Sequence, residues 1–161
     1  MNKPFLILSL IAVAGLSHAD LRSEIKAARL KQEKAAIAKD IKGAEAAMKE
    51  SMTPDFKYVQ GGKTQDAKTF ISEYIASIKM TDKITSSSTR IISLKQTGNN
   101  GSGEIELSMK GTMKNPDKSI HTMDWTGDFI QEYRRVGGKW KTSKMIAGKQ
   151  KFLMDGKPVK M

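Results

Sequence analysis

The sequence predicts an α+β domain in which three N-terminal helices precede a meander of long antiparallel strands. Up to Met80, apolar residues recur at intervals of three and four, as on one face of a helix. Beyond Met80, apolar and polar residues alternate, as in half-buried strands, and pairs of turn-forming residues separate the alternating segments. The 161 residues suffice for a single domain with one core.

Residues 1–19 have the pattern of a secretory signal peptide. After a short positive start, an apolar stretch runs from Phe5 to Leu16, and Ser17 and Ala19 are the small residues that a signal peptidase requires. This stretch is shorter than the roughly 20 residues of a transmembrane helix. An uncleaved anchor or a buried first helix is the alternative. We expect cleavage after Ala19, a single mature domain over 20–161, and location in the periplasm or the medium.

Two consecutive helices are predicted next, over about 20–38 and 41–51. The segment is rich in the strong helix formers Ala, Lys and Glu and contains no Pro before position 54. Asp40 is a good N-cap and Gly43 weakens a continuous helix, so we place a break between the two. A coiled coil is the alternative, but the apolar stripe covers too few heptads.

A short strand and a third helix follow. Thr53-Pro54 ends the helical region, because Pro cannot continue a helix, and Asp55–Val59 reads as a strand. Gly61-Gly62-Lys63 predicts a turn. Asp66 is placed to cap a helix whose apolar residues have helical spacing: Phe70, Ile71, Tyr74, Ile75 and Ile78.

Turn-forming residues divide the rest of the chain into strands. Asn99-Asn100-Gly101 predicts a type I′ hairpin turn, and Asn115-Pro116-Asp117 and Gly137-Gly138 predict the next two turns. Asp155-Gly156 indicates a final short hairpin. The strands so predicted are Lys83–Thr97, Ile105–Met113, Ser119–Val136 and Lys139–Ala147.

Cysteine is absent, and basic residues are in excess. Without Cys the chain has no disulfide framework, thiol catalysis or thiolate metal site. The net charge is +11, and a basic surface attracts anionic lipid head groups or cell-wall polymers. A solvated strand face is the alternative, and no aromatic-interleaved basic motif indicates specific nucleic-acid binding. The excess is concentrated near the C-terminus, in Arg134, Arg135, Lys139, Lys141, Lys144, Lys149, Lys151, Lys157 and Lys160.

Five short motifs are similar to those of one protein superfamily. They are Lys39-Asp40-Ile41, Met52-Thr53-Pro54-Asp55-Phe56, Gly62-Lys63, Trp125…Phe129…Tyr133 and Gly137-Gly138-Lys139-Trp140. With them, nearly all of the mature chain resembles the nuclear transport factor 2-like superfamily, especially its bacterial SnoaL-like members and related domains of unknown function.

The resemblance implies a cone-shaped architecture. A strongly curved antiparallel sheet would wrap around the three helices and leave a largely apolar pocket open at one end. Members include isomerases, dehydratases, polyketide cyclases and non-catalytic binding or dimerisation modules, so the fold alone indicates no chemistry. Members often dimerise through the outer face of the sheet, and we therefore expect a homodimer.

His121 is the candidate catalytic residue. It is the one histidine after the leader, and strand alternation places it on the same face as Met123 and Trp125. A histidine with a pKa near neutrality is a natural general base. The alternative is an exposed histidine at a strand end beside the turn at 115–117. Asp124 and Asp128 fall on the opposite face.

The candidate ligand-binding residues are apolar or phenolic. Tyr58 and Tyr74 each offer a hydroxyl group, and methionine thioethers adapt to varied ligands. The same residues would serve equally as ordinary core. No motif supports a metal site, so we expect no metal and no cofactor. The apolar candidates are Met109, Met113, Met123 and Trp125.

Three functional hypotheses remain open. The first is an exported, non-catalytic domain that binds a small apolar ligand or a protein partner in its pocket. The second is an isomerase, dehydratase or cyclase with His121 as general base. The third is an envelope protein that binds anionic polymer or lipid through its basic C-terminal third.

Overall fold

Three helices and a seven-stranded sheet make up residues 20–159, the part of the chain that the computed structural model describes. The predicted signal peptide lies outside these residues. The helices are α1 (Leu21–Ile37), α2 (Ile41–Ser51) and α3 (Ala67–Met80). The strands are β1 (Met52–Gln60), β2 (Lys63–Asp66), β3 (Thr81–Thr97), β4 (Asn100–Lys114), β5 (Ile120–Val136), β6 (Lys139–Met154) and β7 (Lys157–Pro158).

Each helix begins at an aspartate that caps it. The Oδ1 atoms of Asp20, Asp40 and Asp66 accept hydrogen bonds from backbone N–H groups three residues later, at 2.8, 2.9 and 2.8 Å. Such bonds satisfy donors that have no partner within the helix. Lys39 has a positive φ of 53° between α1 and α2. The predicted break at Asp40 is thus confirmed, and so is the predicted cap of the third helix.

The sheet has the order β2-β1-β6-β5-β4-β3, with β7 paired to β6. The predicted meander from β3 to β6 is confirmed, since these strands pair in sequence order and antiparallel. The sheet is nevertheless mixed rather than purely antiparallel, because β1 pairs with β6 in parallel. This pairing joins strands far apart in the sequence, and it brings α2, which precedes β1, and α3, which follows β2, against the inner face.

The long strands bend where glycines and bulges coincide. The register of β3 against β4 shifts at three places, including one between Ile84 and Ser86. Gly111, paired with Ile84, comes so close to β3 that a Cβ atom there would lie 2.2 Å from the Lys83 carbonyl oxygen. Bulges bend a strand and increase its twist. The sheet therefore bends toward the helices at a point that tolerates no side chain.

The first long hairpin turns earlier than predicted. Thr97 pairs with Asn100, so the loop is Gly98-Asn99, and Gly98 has the positive φ of 58°. Gly101 lies within β4, where a Cβ atom would be 2.5 Å from Cδ2 of Leu21. Asn100-Gly101, the pair that predicted the turn, lies in β4 instead, and its glycine lets α1 pack closely on the sheet.

The core lies between the helices and the inner face of the sheet. Its larger part surrounds Phe56, Ile78 and Phe129, and a smaller part joins α1 to Tyr133 and Trp140. Within residues 20–159, none of the helices is both long and apolar enough to span a bilayer.

Gly111→Ala should destabilise the protein by about 1–3 kcal/mol, because the new methyl group meets the backbone of β3 and the strands must separate. The measurement is the free energy of unfolding in urea. Lys110→Ala, which changes the neighbouring exposed side chain, is the control and should cost at most about 0.5 kcal/mol. Equal stability of the two variants would contradict this account of the bend.

Tyr133→Phe should change how stability depends on alkaline pH. Tyr133 is buried, its hydroxyl donates to Oε1 of Gln131 at 2.6 Å, and burial raises its pKa from 10.0 to about 12, partly opposed by the charge of Arg29. Because the folded state favours the neutral phenol, its stabilisation is full below pH 10 and is lost as the pH rises toward 12. Because the variant lacks this hydrogen bond, its free energy of unfolding should be lower by about 1 kcal/mol at pH 8. Its deficit relative to the wild type should shrink above pH 10 in urea titrations, and a deficit independent of pH would refute the assignment.

Candidate functional site

A cavity of about 450 Å³ lies between α3 and the inner face of the sheet. This volume falls within the range of about 300–1,000 Å³ that is typical of small-molecule sites. Most of its wall is apolar and comes from β1, α3, β4, β5 and β6. The aromatic part of that wall comprises Tyr58, Phe70, Tyr74, Trp125, Phe129 and Phe152.

All six residues predicted to bind a ligand line this cavity. Met109 and Met113 of β4 and Met123 and Trp125 of β5 meet there because alternate residues of a strand face the same side. The register supports this, since Met109 pairs with Trp125 and Gly111 with Met123. Tyr58 of β1 and Tyr74 of α3 complete the set.

A glycine between two aromatic residues shapes one wall. Gly127 lies between Trp125 and Phe129 on the inner face of β5, and a Cβ atom there would be 2.8 and 2.9 Å from their rings. The two rings close over the gap, with their centroids 6.1 Å apart. The missing side chain therefore produces a continuous aromatic surface.

Sequence reasoning missed the contribution of β6. The strand continues to Met154, so Phe152 reaches the cavity together with Met145. A register shift against β5, between Glu132 and Tyr133, interrupts the alternation along β6, so that Met145 is buried as well as Trp140 and Thr142. A bulge of this kind leaves no local signal in the sequence.

Polar groups are few among the described residues that line the cavity: two phenols, two amides, two hydroxyl groups and the exposed carboxylate of Glu73. The Tyr58 hydroxyl donates to Oε1 of Gln60 at 3.0 Å. Burial raises the pKa of Tyr58, against the effect of a hydrogen bond with Gln150. Burial also raises the pKa of Tyr74, opposed by the charge of Arg29. Both phenols therefore stay protonated near neutral pH.

His121 lies apart from the lining of this cavity. Its Nδ1 is 2.6 Å from Oδ2 of Asp155, and its Nε2 is 3.1 Å from Oγ of Ser119. The hydrogen bond with His121 is the main cause of the lowered pKa of Asp155, whose carboxylate also accepts from the Thr122 N–H at 2.8 Å. The turn between β6 and β7 thus holds the imidazole at the strand end. This geometry gives no support to His121 as a general base in the cavity.

Charged side chains on the outer face pair with one another. Arg90 and Glu106 lie 2.9 Å apart, and Lys110 and Asp124 lie 3.1 Å apart. Part of the basic excess near the C-terminus is also paired, as in the contact of Arg134 with Asp55. Among residues 20–159, no group of three or more His, Cys, Asp or Glu is arranged to hold a metal ion. A homodimer through this face stays a prediction.

Solved structures similar to this chain share its fold. A conserved protein from Planctomyces limnophilus has 13% identity and a TM-score of 0.63, over 86% of this chain and 97% of the other. A type 2 hexachlorocyclohexane dehydrochlorinase has 14% identity and a TM-score of 0.62, over 86% and 88%. A nuclear transport factor 2-like protein of unknown function from Shewanella oneidensis has 12% identity and a TM-score of 0.58, over 80% and 98%. No protein-family model and no curated protein sequence matches the chain. At these identities the similarity establishes the fold.

Proposed function

We propose that this chain, which has the nuclear transport factor 2-like fold, binds a small and mainly apolar molecule without transforming it. The observation that carries the proposal is the cavity of about 450 Å³ beneath the sheet, whose wall is largely methionine and aromatic. Removing an apolar ligand from water into such a site is favourable in proportion to the apolar area buried.

The wall composition favours an adaptable binding site. Four methionines, Met109, Met113, Met123 and Met145, line the cavity, and flexible thioether side chains adjust to ligands of different shape. The hydroxyl groups of Tyr58 and Tyr74 and the amide of Gln150 supply a few polar contacts. A small number of such groups in an apolar site fixes the orientation of a ligand.

The chemistry of most of the wall favours binding over catalysis, and the one carboxylate of the described lining, Glu73, is exposed and accepts a hydrogen bond from Gln65 at 2.9 Å. General acid–base catalysis is most efficient when the pKa of the group lies near the operating pH. Burial moves the pKa values of Tyr58 and Tyr74 upward, away from neutrality. The enzyme hypothesis depends on His121 as base, and that ring is hydrogen-bonded to Ser119 and Asp155 instead of facing the cavity.

Binding of a neutral apolar probe tests the proposal. Mature protein, residues 20–161, is titrated with the uncharged dye N-phenyl-1-naphthylamine, and protein purified from exporting cells is weighed by native mass spectrometry. We expect saturable fluorescence with one site per chain and a raised melting temperature. Absence of probe binding, together with a clean apo mass and no stabilisation across a panel of apolar molecules, would refute it.

Ser77→Trp should weaken binding of the probe at least tenfold. Ser77 is exposed on α3 at the edge of the cavity, so an indole there can fold into the opening and occupy ligand volume. Ser72→Trp is the matched control, since Ser72 is exposed on the same helix away from the cavity. The readout is the dissociation constant, with melting temperatures confirming that both variants fold. Equal effects of the two substitutions would place the probe elsewhere.

We also propose that the protein acts after export, on the basis of residues 1–19. Cleavage after Ala19 would leave Asp20, the residue that caps α1, at the new N-terminus. Intact mass and N-terminal sequencing of the exported protein should therefore show a chain that starts at Asp20. Ala19→Arg should block processing, because the peptidase needs a small residue there, whereas His18→Arg should be processed normally. Efficient cleavage of the Ala19 variant would disprove the assigned site.

A further inference from the structure

A half-buried arginine lies beside the apolar cavity. Arg29 of α1 lines a second, smaller cavity of about 60 Å³ between this helix and the strands β3 and β4. The residue as a whole is half-buried, but desolvation around its guanidinium is strong enough to lower the pKa of Arg29. An arginine nevertheless keeps its charge in proteins.

This charge has no carboxylate partner among the residues that the structure describes. One guanidinium nitrogen, Nη1, donates to Oε1 of Gln32 at 2.9 Å. Gln32 is itself held by Ser51, whose Oγ accepts from its Nε2 at 2.7 Å. A guanidinium has five N–H donors, and Arg29 is half-buried. Donors other than the one bound to Gln32 are therefore available to an anionic ligand.

The two cavities share much of their wall. Six residues line both of them: Phe70, Tyr74, Leu107, Met109, Trp125 and Met145. An apolar molecule in the larger cavity thus lies against the same side chains that border Arg29. The proximity is also electrostatic, because the charge of Arg29 acts to lower the pKa of Tyr74.

Hydroxyl groups add donors around the small cavity. Ser87 and Thr89 of β3 line it and are half-buried, and the more exposed Ser88 lines it as well. Ser87 and Thr89 pair with Met109 and Leu107 of β4, which belong to the wall of the larger cavity. The polar end and the apolar body of the site are therefore adjacent on the same strands.

We propose that the ligand is an amphipathic carboxylic acid, whose carboxylate binds Arg29 while its apolar body fills the larger cavity. This inference rests on the proposed function and specifies its ligand class. A carboxylate matches the planar fork of a guanidinium, and the small cavity has room for a head group of a few atoms but not for a long apolar chain. Ser87 and Thr89, which line the same small cavity, would donate to the same head group.

Glu33 is the one carboxylate among the described residues that line the small cavity, and it opposes an anion there. Its carboxylate lines the small cavity one helical turn from Arg29 and forms no ion pair with it among the described residues. The carboxylate raises the pKa of Arg29, so it partly offsets the positive charge. Neutralising Glu33 should therefore strengthen the binding of an acid and leave the binding of a neutral ligand unchanged.

A matched pair of ligands tests the proposal. Dodecanoate and dodecanol, which share the alkyl chain and differ in the head group, compete with N-phenyl-1-naphthylamine for the wild type and four variants. The wild type should bind dodecanoate at least tenfold more tightly. Arg29→Gln should weaken the binding of dodecanoate about 10- to 100-fold, as expected for loss of a charged hydrogen bond. The dissociation constant of dodecanol should change by less than about twofold. Arg22→Gln, an exposed arginine of the same helix, should change neither.

Two further variants keep the test independent of folding defects. Arg29→Lys retains the charge and should keep a preference for the acid, and Glu33→Gln should tighten dodecanoate severalfold. Equal affinity of the wild type for the acid and the alcohol, or an unchanged preference in a folded Arg29→Gln protein, would overturn the assignment while leaving apolar binding intact. If the probe itself does not bind, the proposed function fails, and this inference fails with it.

Discussion

The need to bend four long strands around three helices governs this structure. β3 to β6 are 15 to 17 residues long, and a flat sheet of such strands would leave the apolar faces of the helices uncovered. The bend is possible because glycines occupy the positions where β4 comes close to the backbone of β3. At Gly103, as at Gly111, a Cβ atom would collide with the backbone of β3, here 2.5 Å from the Ser93 carbonyl oxygen. Glycine inside a strand is normally unfavourable, so its presence here reflects the shape of the sheet.

The cavity follows from the same bend. α1 packs tightly against β4 over Gly101, whereas α3 stands off the sheet, and the space between α3 and β5 is only partly filled by the rings of Trp125 and Phe129. Alternation along β4 and β5 then directs methionine and aromatic side chains into this space. The cavity is therefore a consequence of how the sheet curves. It is apolar because the residues that line it are of the types that form an ordinary core.

Local interactions were predictable from the sequence, and interactions between distant segments were not. The caps at Asp40 and Asp66 involve residues three positions apart, so the helix starts could be inferred directly. The six cavity residues were predicted from strand alternation and side-chain chemistry together with the pocket that the family resemblance implies. The parallel pairing of β1 with β6, the interrupted alternation before Met145 and the contact of Leu21 with Gly101 depend on segments that meet only after folding. For His121 the deciding partner, Asp155, is 34 residues away.

The combination of an apolar wall with one unpaired cation has a consequence for selectivity. Burial of apolar area supplies affinity but discriminates poorly among molecules of similar size. A buried polar group discriminates strongly, because a ligand without the complementary group leaves it unpaired after water has been displaced. In the proposed site the methionines and aromatic rings would supply the first contribution, and Arg29 and its neighbouring hydroxyl groups would supply the second. Neither contribution requires a proton transfer, which is consistent with the proposed role in binding.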